Sequence, residues 1–195
     1  MATNIPPSVD PDLYPSGIAG ESSTSAVSWS AIFAGTVAAV ALTLILVAIG
    51  SALGFASVSP WPGVGAATTT FTIAAGVWLI VTQWLSAAAG GYLAGRLRVR
   101  WHGLHTDEVF FRDTAHGLLT WATATVVIAA VAAAASALSN IAATPVDVDM
   151  SKDAIDAARK AATSVAGFTG LSLLVGAFIG AVAGAIGGRL RDMHP

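Results

Sequence analysis

Residues 29–57 read Trp29-Ser30-Ala31-Ile32-Phe33-Ala34-Gly35-Thr36-Val37-Ala38-Ala39-Val40-Ala41-Leu42-Thr43-Leu44-Ile45-Leu46-Val47-Ala48-Ile49-Gly50-Ser51-Ala52-Leu53-Gly54-Phe55-Ala56-Ser57. No residue in this run is charged, and apolar residues fall on every side. A helix that crosses a bilayer needs about 20 mostly apolar residues. Only helices and closed barrels satisfy their backbone polar groups in lipid. A barrel strand alternates lipid-facing and lumen-facing residues, and this run does not alternate. It reads as a spanning helix.

The same test extends along the chain. Charge is absent from 22–95, 114–146 and 161–188. The first window is too long for one span. It is split by Ser59-Pro60-Trp61-Pro62-Gly63-Val64-Gly65, a turn-rich breaker. The expectation is an all-α polytopic membrane protein with four spans, near 29–57, 69–95, 114–140 and 166–188, in a membrane domain over 27–191. Composition agrees: of 195 residues, 55% are hydrophobic and 10% charged, against roughly 25% charged in a soluble domain.

Other classes are disfavoured by the same numbers. A net charge of -2 argues against nucleic acid as a partner, which calls for a basic patch. The absence of cysteine removes disulfides, thiolate zinc sites, Fe–S clusters and c-type haem attachment. Residues 1–26 hold Pro6, Pro7, Pro11 and Pro15, with acids and no Lys or Arg. That stretch lacks the positive n-region of a secretory signal, so it reads as a disordered polar tail that is retained. Orientation follows from basic residues in short loops. The 96–113 loop and the C-terminal stub carry six bases against three in the 141–165 loop, which places both termini in the cytoplasm.

Two segments match. Gly91-Tyr92-Leu93-Ala94-Gly95-Arg96-Leu97-Arg98 and Gly184-Ala185-Ile186-Gly187-Gly188-Arg189-Leu190-Arg191 share the pattern G-x-x-x-G-R-L-R. Each ends the second helix of a hairpin, so the spans read as two hairpins in a parallel internal repeat, an arrangement found in transporters. Glycines recur every four residues at Gly176, Gly180, Gly184 and Gly188, and Gly91 and Gly95 continue the pattern on span two. Small residues at that spacing let helix backbones approach. The rows read as a packed seam, either inside one chain or between copies.

No Asp, Glu, Lys or Arg lies within a span. Ion-coupled transporters usually place one there, which counts against that class. Gln83 is 13 positions before Arg96, or about 20 Å along a helix, and so lies near mid-bilayer. A buried amide needs a partner; Thr123 and Thr125 on the neighbouring span match its depth. A pore-lining or ligand-binding amide is the alternative.

The 100–117 stretch holds a different kind of residue. Thr106, Asp107 and Glu108 suit the start of a helix, and a short interfacial helix is expected to lead into span three. His102, His105, Asp107, Glu108, Asp113 and His116 are of metal-ligating types. However, no His-Glu-x-x-His pattern joins them. A solvated, ion-paired loop that caps a helix explains the same residues. No cofactor is expected, and no nucleophile, phosphate-loop or dinucleotide motif is present. After Pro145, Ser151–Lys160 is helix-forming and reads as a surface helix joined to span four.

The pattern Arg-Trp-x-Gly-x-His-Thr-Asp-Glu-Val at Arg100–Val109, followed by Phe111-Arg112-Asp113-Thr114 and His116-Gly117, resembles that of small four-span inner-membrane proteins of proteobacteria. The resemblance implies placement in the bacterial inner membrane and transfers no catalytic residue. The expected function is non-enzymatic: an accessory or scaffold component that assembles, as a homo-oligomer or as a subunit of a larger complex, through its glycine-rich faces. The alternatives are a passive pore or transporter for a small solute, and a metal- or cofactor-binding protein using the 102–116 loop.

Overall fold

The computed structural model describes residues 25–57, 65, 67–100, 105–142 and 151–193. They form four helices: α1 (Trp29–Ser57), α2 (Thr68–Leu97), α3 (Thr106–Ala142) and α4 (Lys152–Met193). Each is long and apolar enough to cross a membrane. His102 and residues 1–24 lie outside the described residues.

The four expected spans coincide with the four helices, but α3 and α4 are longer than their spans. The helix expected before span three is continuous with it from Thr106, and Asp107 and Glu108 occupy the first turn. The surface helix expected before span four is likewise continuous with it from Lys152. The Ser151 hydroxyl accepts from the Ala154 amide at 3.3 Å and caps that start. Neither junction holds a Pro or another strong breaker, so the helical hydrogen bonding continues. At 1.5 Å per residue the 42 residues of α4 extend about 63 Å, roughly twice the hydrocarbon thickness of a bilayer.

Successive helices run antiparallel. Trp78 Nε1 on α2 donates to the Leu46 carbonyl of α1 at 2.9 Å, while Gly35 lies against Gly90 near the other ends of the same helices. α2 and α4 run parallel: the Ser172 hydroxyl donates to the Leu79 carbonyl at 3.3 Å, and Gly91 and Gly95 meet Gly180 and Gly184. α2 and α3 each contact every other helix, while α1 and α4 do not touch among the described residues. The cross-section is a rhombus with α2 and α3 on its short diagonal.

Packing is uneven along the bundle. Buried residues crowd the end that carries Arg98 and Arg191: Ala31, Ile32, Ala94, Asp113, His116 and Thr120 are all nearly inaccessible. Toward the other end the helices part, and α3 is exposed throughout 129–139. The cause lies in the small residues. At the Arg-rich end, a β-carbon on Gly184 would lie 2.6 Å from the Asp113 carbonyl oxygen and 2.8 Å from Gly117 Cα. Only glycine lets the backbones come that close.

Candidate functional site

Two polar features sit inside this bundle. The first closes its Arg-rich end. Arg98, just past α2, is buried and paired through Nε with the carboxylate of Asp113 on α3. Arg191 of α4 reaches the other oxygen of the same carboxylate at 3.8 Å. The Arg191 guanidinium also donates to the Gly95 carbonyl at 3.0 Å, one of the last-turn carbonyls that a helix leaves without an internal partner. Arg98 and Arg191 are the final residues of the two G-x-x-x-G-R-L-R segments, and they converge on one acid from two helices.

His116, one turn along α3 from Asp113, ties α1 to this end. Its Nε2 accepts from the Ser28 backbone amide at 2.8 Å, and its Nδ1 lies 2.6 Å from the Arg112 carbonyl. Only the neutral ring with its hydrogen on Nδ1 makes both bonds. Of the residues considered as metal ligands, Glu108 pairs with Arg112 at 2.6 Å, and His105 and Asp107 are exposed. Among the described residues no group of three or more His, Cys, Asp or Glu is placed to hold a metal ion.

The second feature is a cavity of about 290 Å³ in the middle of the bundle, lined by all four helices. Ala39, Thr82, Ser86, Ala87 and Ala124 form its buried floor, while Val47, Ala129, Ala132 and Thr169 line it from exposed positions. Its exposed lining residues lie on the side of the bundle away from Arg98 and Arg191. Among the described residues that line it, none is titratable.

Its polar groups divide into two sets. Thr43 and Thr125 donate to the Ala39 and Trp121 carbonyls one turn back on their own helices, and Ser172 to Leu79 on α2. Thr82 Oγ1, Ser86 Oγ and Trp121 Nε1 are buried without a hydrogen-bond partner. Thr82 and Ser86 are each 3% exposed. Buried polar groups are normally paired, and each exception calls for a cause.

Gln83 lines this cavity. The expected partners, Thr123 and Thr125, give their hydroxyl hydrogens to Leu119 and Trp121. The amide lies instead over Gly176, where an added β-carbon would be 2.7 Å from Gln83 Nε2 and 2.9 Å from Trp121 Nε1. Glycine at 176 makes room for both side chains.

The glycine rows are used within the chain. Gly91 and Gly95 abut Gly180 and Gly184; Gly176 takes Gln83 and Trp121; Gly188 takes the Asp113 side chain. Gly180 is the roomiest of the last four α4 seam glycines, with Trp121 Cβ at 3.0 Å and the Gly117 oxygen at 3.2 Å. Sequence reasoning missed Gly117, which meets Gly180 and Gly184 from α3, and Gly35 and Gly90, which form a separate close contact between α1 and α2. It also missed Asp113 as the anchor of two arginines. The available signal was that Arg98 and Arg191 hold matching places in the two segments.

Comparison with protein-family models, with curated proteins and with solved structures finds no match for this chain.

Proposed function

We propose that the chain is a non-enzymatic integral membrane protein that holds a small neutral solute in the cavity between its four helices, as a membrane-embedded binding protein or passive carrier does. The cavity supports this: it is of ligand size, has no charged residue among its described lining, and keeps three buried polar groups free of partners. Ligand sites are typically apolar concavities with a few placed polar groups. At the Arg-rich end the helices touch through backbone at Gly91, Gly95 and Gly117, which favours a pocket over a continuous pore.

In this proposal the body is two hairpins in a parallel repeat. Leu79 and Ser172, 93 residues apart, are hydrogen-bonded neighbours, and 93 is also the offset between the two matching segments. The basic residues at the Arg98 end favour placing it in the cytoplasm of a bacterial inner membrane.

Naphthalene tests the binding reading. It should raise the melting temperature of the detergent-purified chain saturably. Ala124→Phe, which puts a ring into the cavity, should abolish that shift. An unsaturable shift of equal size in both proteins would sink the proposal.

A second reading, an accessory subunit, draws on the far half of α3, where Val126, Val131 and Leu138 are 67%, 58% and 67% exposed. Stoichiometric co-purification of one protein from native membrane, lost on Val131→Lys, would favour it. Recovery of the chain alone would count against it.

A further inference from the structure

Resting on the solute-holding proposal above, we infer that the solute is a small neutral carbonyl compound whose oxygen accepts a hydrogen bond from Trp121 Nε1. Its chemistry follows from what the cavity offers and withholds. Among the described residues, no Asp, Glu, Lys, Arg or His lines it. An ion there would be desolvated without a counter-charge, which costs far more than a neutral group. The occupant is neutral.

The unpaired groups then set the polarity. An indole N–H donates and cannot accept, so Trp121 Nε1 is matched only by an acceptor. Thr82 and Ser86 are four residues apart on α2, and side chains at that spacing lie on one face of a helix. Both hydroxyls lack a partner, although Thr43, Thr123 and Thr125 in the same bundle bond the carbonyl four residues back. The two hydroxyls on the α2 wall can donate or accept and the indole on α3 can only donate, so a molecule with acceptor oxygens, such as a dione, matches all three. A hydrocarbon leaves all three unmatched. The Gln83 amide lies beside Trp121 over Gly176 and adds a further polar contact.

Volume limits the size. A cavity of about 150 Å³ takes benzene, and this one, at about 290 Å³, takes one or two fused rings. Val47, Ala129, Ala132 and Thr169 line the cavity from exposed positions, so a molecule of this size can reach it.

The probes are 2-methyl-1,4-naphthoquinone and 2-methylnaphthalene, matched in ring framework and differing in the two carbonyl oxygens. The chain has no cysteine, so the quinone meets no thiol. Equilibrium dialysis of the full chain in detergent should show one quinone per chain, bound at least tenfold more tightly than the hydrocarbon, since one hydrogen bond corresponds to about tenfold. Trp121→Phe should weaken quinone binding about tenfold and change hydrocarbon binding less than twofold. Ser86→Ala and Thr82→Val should weaken the quinone while leaving the empty protein at least as stable, because each removes an unpaired buried group. A purely structural hydroxyl would give the opposite sign in the melt. Equal binding of both probes, lost in Ala124→Phe, overturns the carbonyl inference and leaves the solute-holding reading standing. Saturable binding of neither probe overturns both.

Discussion

Replacing Gly95 by alanine probes the contact that closes the bundle. Two effects of opposite sign compete. Alanine is a better helix former than glycine by about 1 kcal/mol. Against this, the new β-carbon would overlap the Gly184 carbonyl oxygen and lie 2.9 Å from the Gly188 nitrogen. Both are backbone atoms, which cannot swing aside as a side chain can. Restoring van der Waals separation requires α2 and α4 to part by about 1 Å. Overpacking of this kind costs about 1–3 kcal/mol, and lipid returns no hydrophobic term when the helices separate. Because the obstacle is backbone, the upper part of that range applies, and the net loss is about 2 kcal/mol.

The control is on α4 itself. Gly170 has nothing within 4 Å of an added β-carbon, so Gly170→Ala should show only the propensity gain and stabilise by up to about 1 kcal/mol. Val182, 41% exposed, should accept leucine with a change under about 0.5 kcal/mol. Reversible unfolding in mixed micelles reads all three. If Gly95→Ala is as stable as the wild type, or moves in the same direction as Gly170→Ala, backbone contact between α2 and α4 does not hold the bundle together.

Two more outcomes follow from the same geometry. Asp113→Asn leaves Arg98 and Arg191 without their shared carboxylate; breaking a buried pair costs about 3–5 kcal/mol, so a large loss of thermal stability is expected, and Arg98→Met with Asp113→Leu together should lose less than Asp113→Asn alone. Cysteines introduced at Ser151 and Met193, at opposite ends of α4, should react with an impermeant thiol reagent from opposite faces of intact vesicles; labelling of both from one face would contradict the spanning reading.

Much of the fold was legible because lipid simplifies the code. A charge-free apolar stretch in a membrane has few options, so Trp29–Ser57 was bounded without reference to its neighbours. The junctions before spans three and four were placed less well. The charged residues Asp107 to Asp113 and Lys152 to Lys160 mark where hydrophobicity stops, not where helical hydrogen bonding stops. The glycine row of α4 was visible through its spacing. Its α3 partner Gly117 was not, nor was the separate Gly35–Gly90 contact between α1 and α2, because these glycines meet across helices rather than along one. Asp113 stood among possible metal ligands because its arginines lie 15 and 78 positions away, beyond any local pattern.

The cavity was the least legible feature. Thr82 and Ser86 look like the other hydroxyls in these spans, and nothing local distinguishes a hydroxyl that bonds its own helix from one left free. An unfilled space is a property of four helices together. Gln83 is the strongest polar group at depth in the sequence, and it lies on the cavity wall over Gly176 rather than against Thr123 or Thr125.

A heavy-atom probe reads occupancy of the cavity itself. Crystals of the chain grown with 1-bromonaphthalene should show one bromine anomalous peak inside the bundle, in contact with Trp121 and Ala124, and Ala124→Phe crystals should lose it. Bromine peaks confined to the lipid-facing surfaces of α1 or α4, with none between Gln83 and Trp121, would contradict the account.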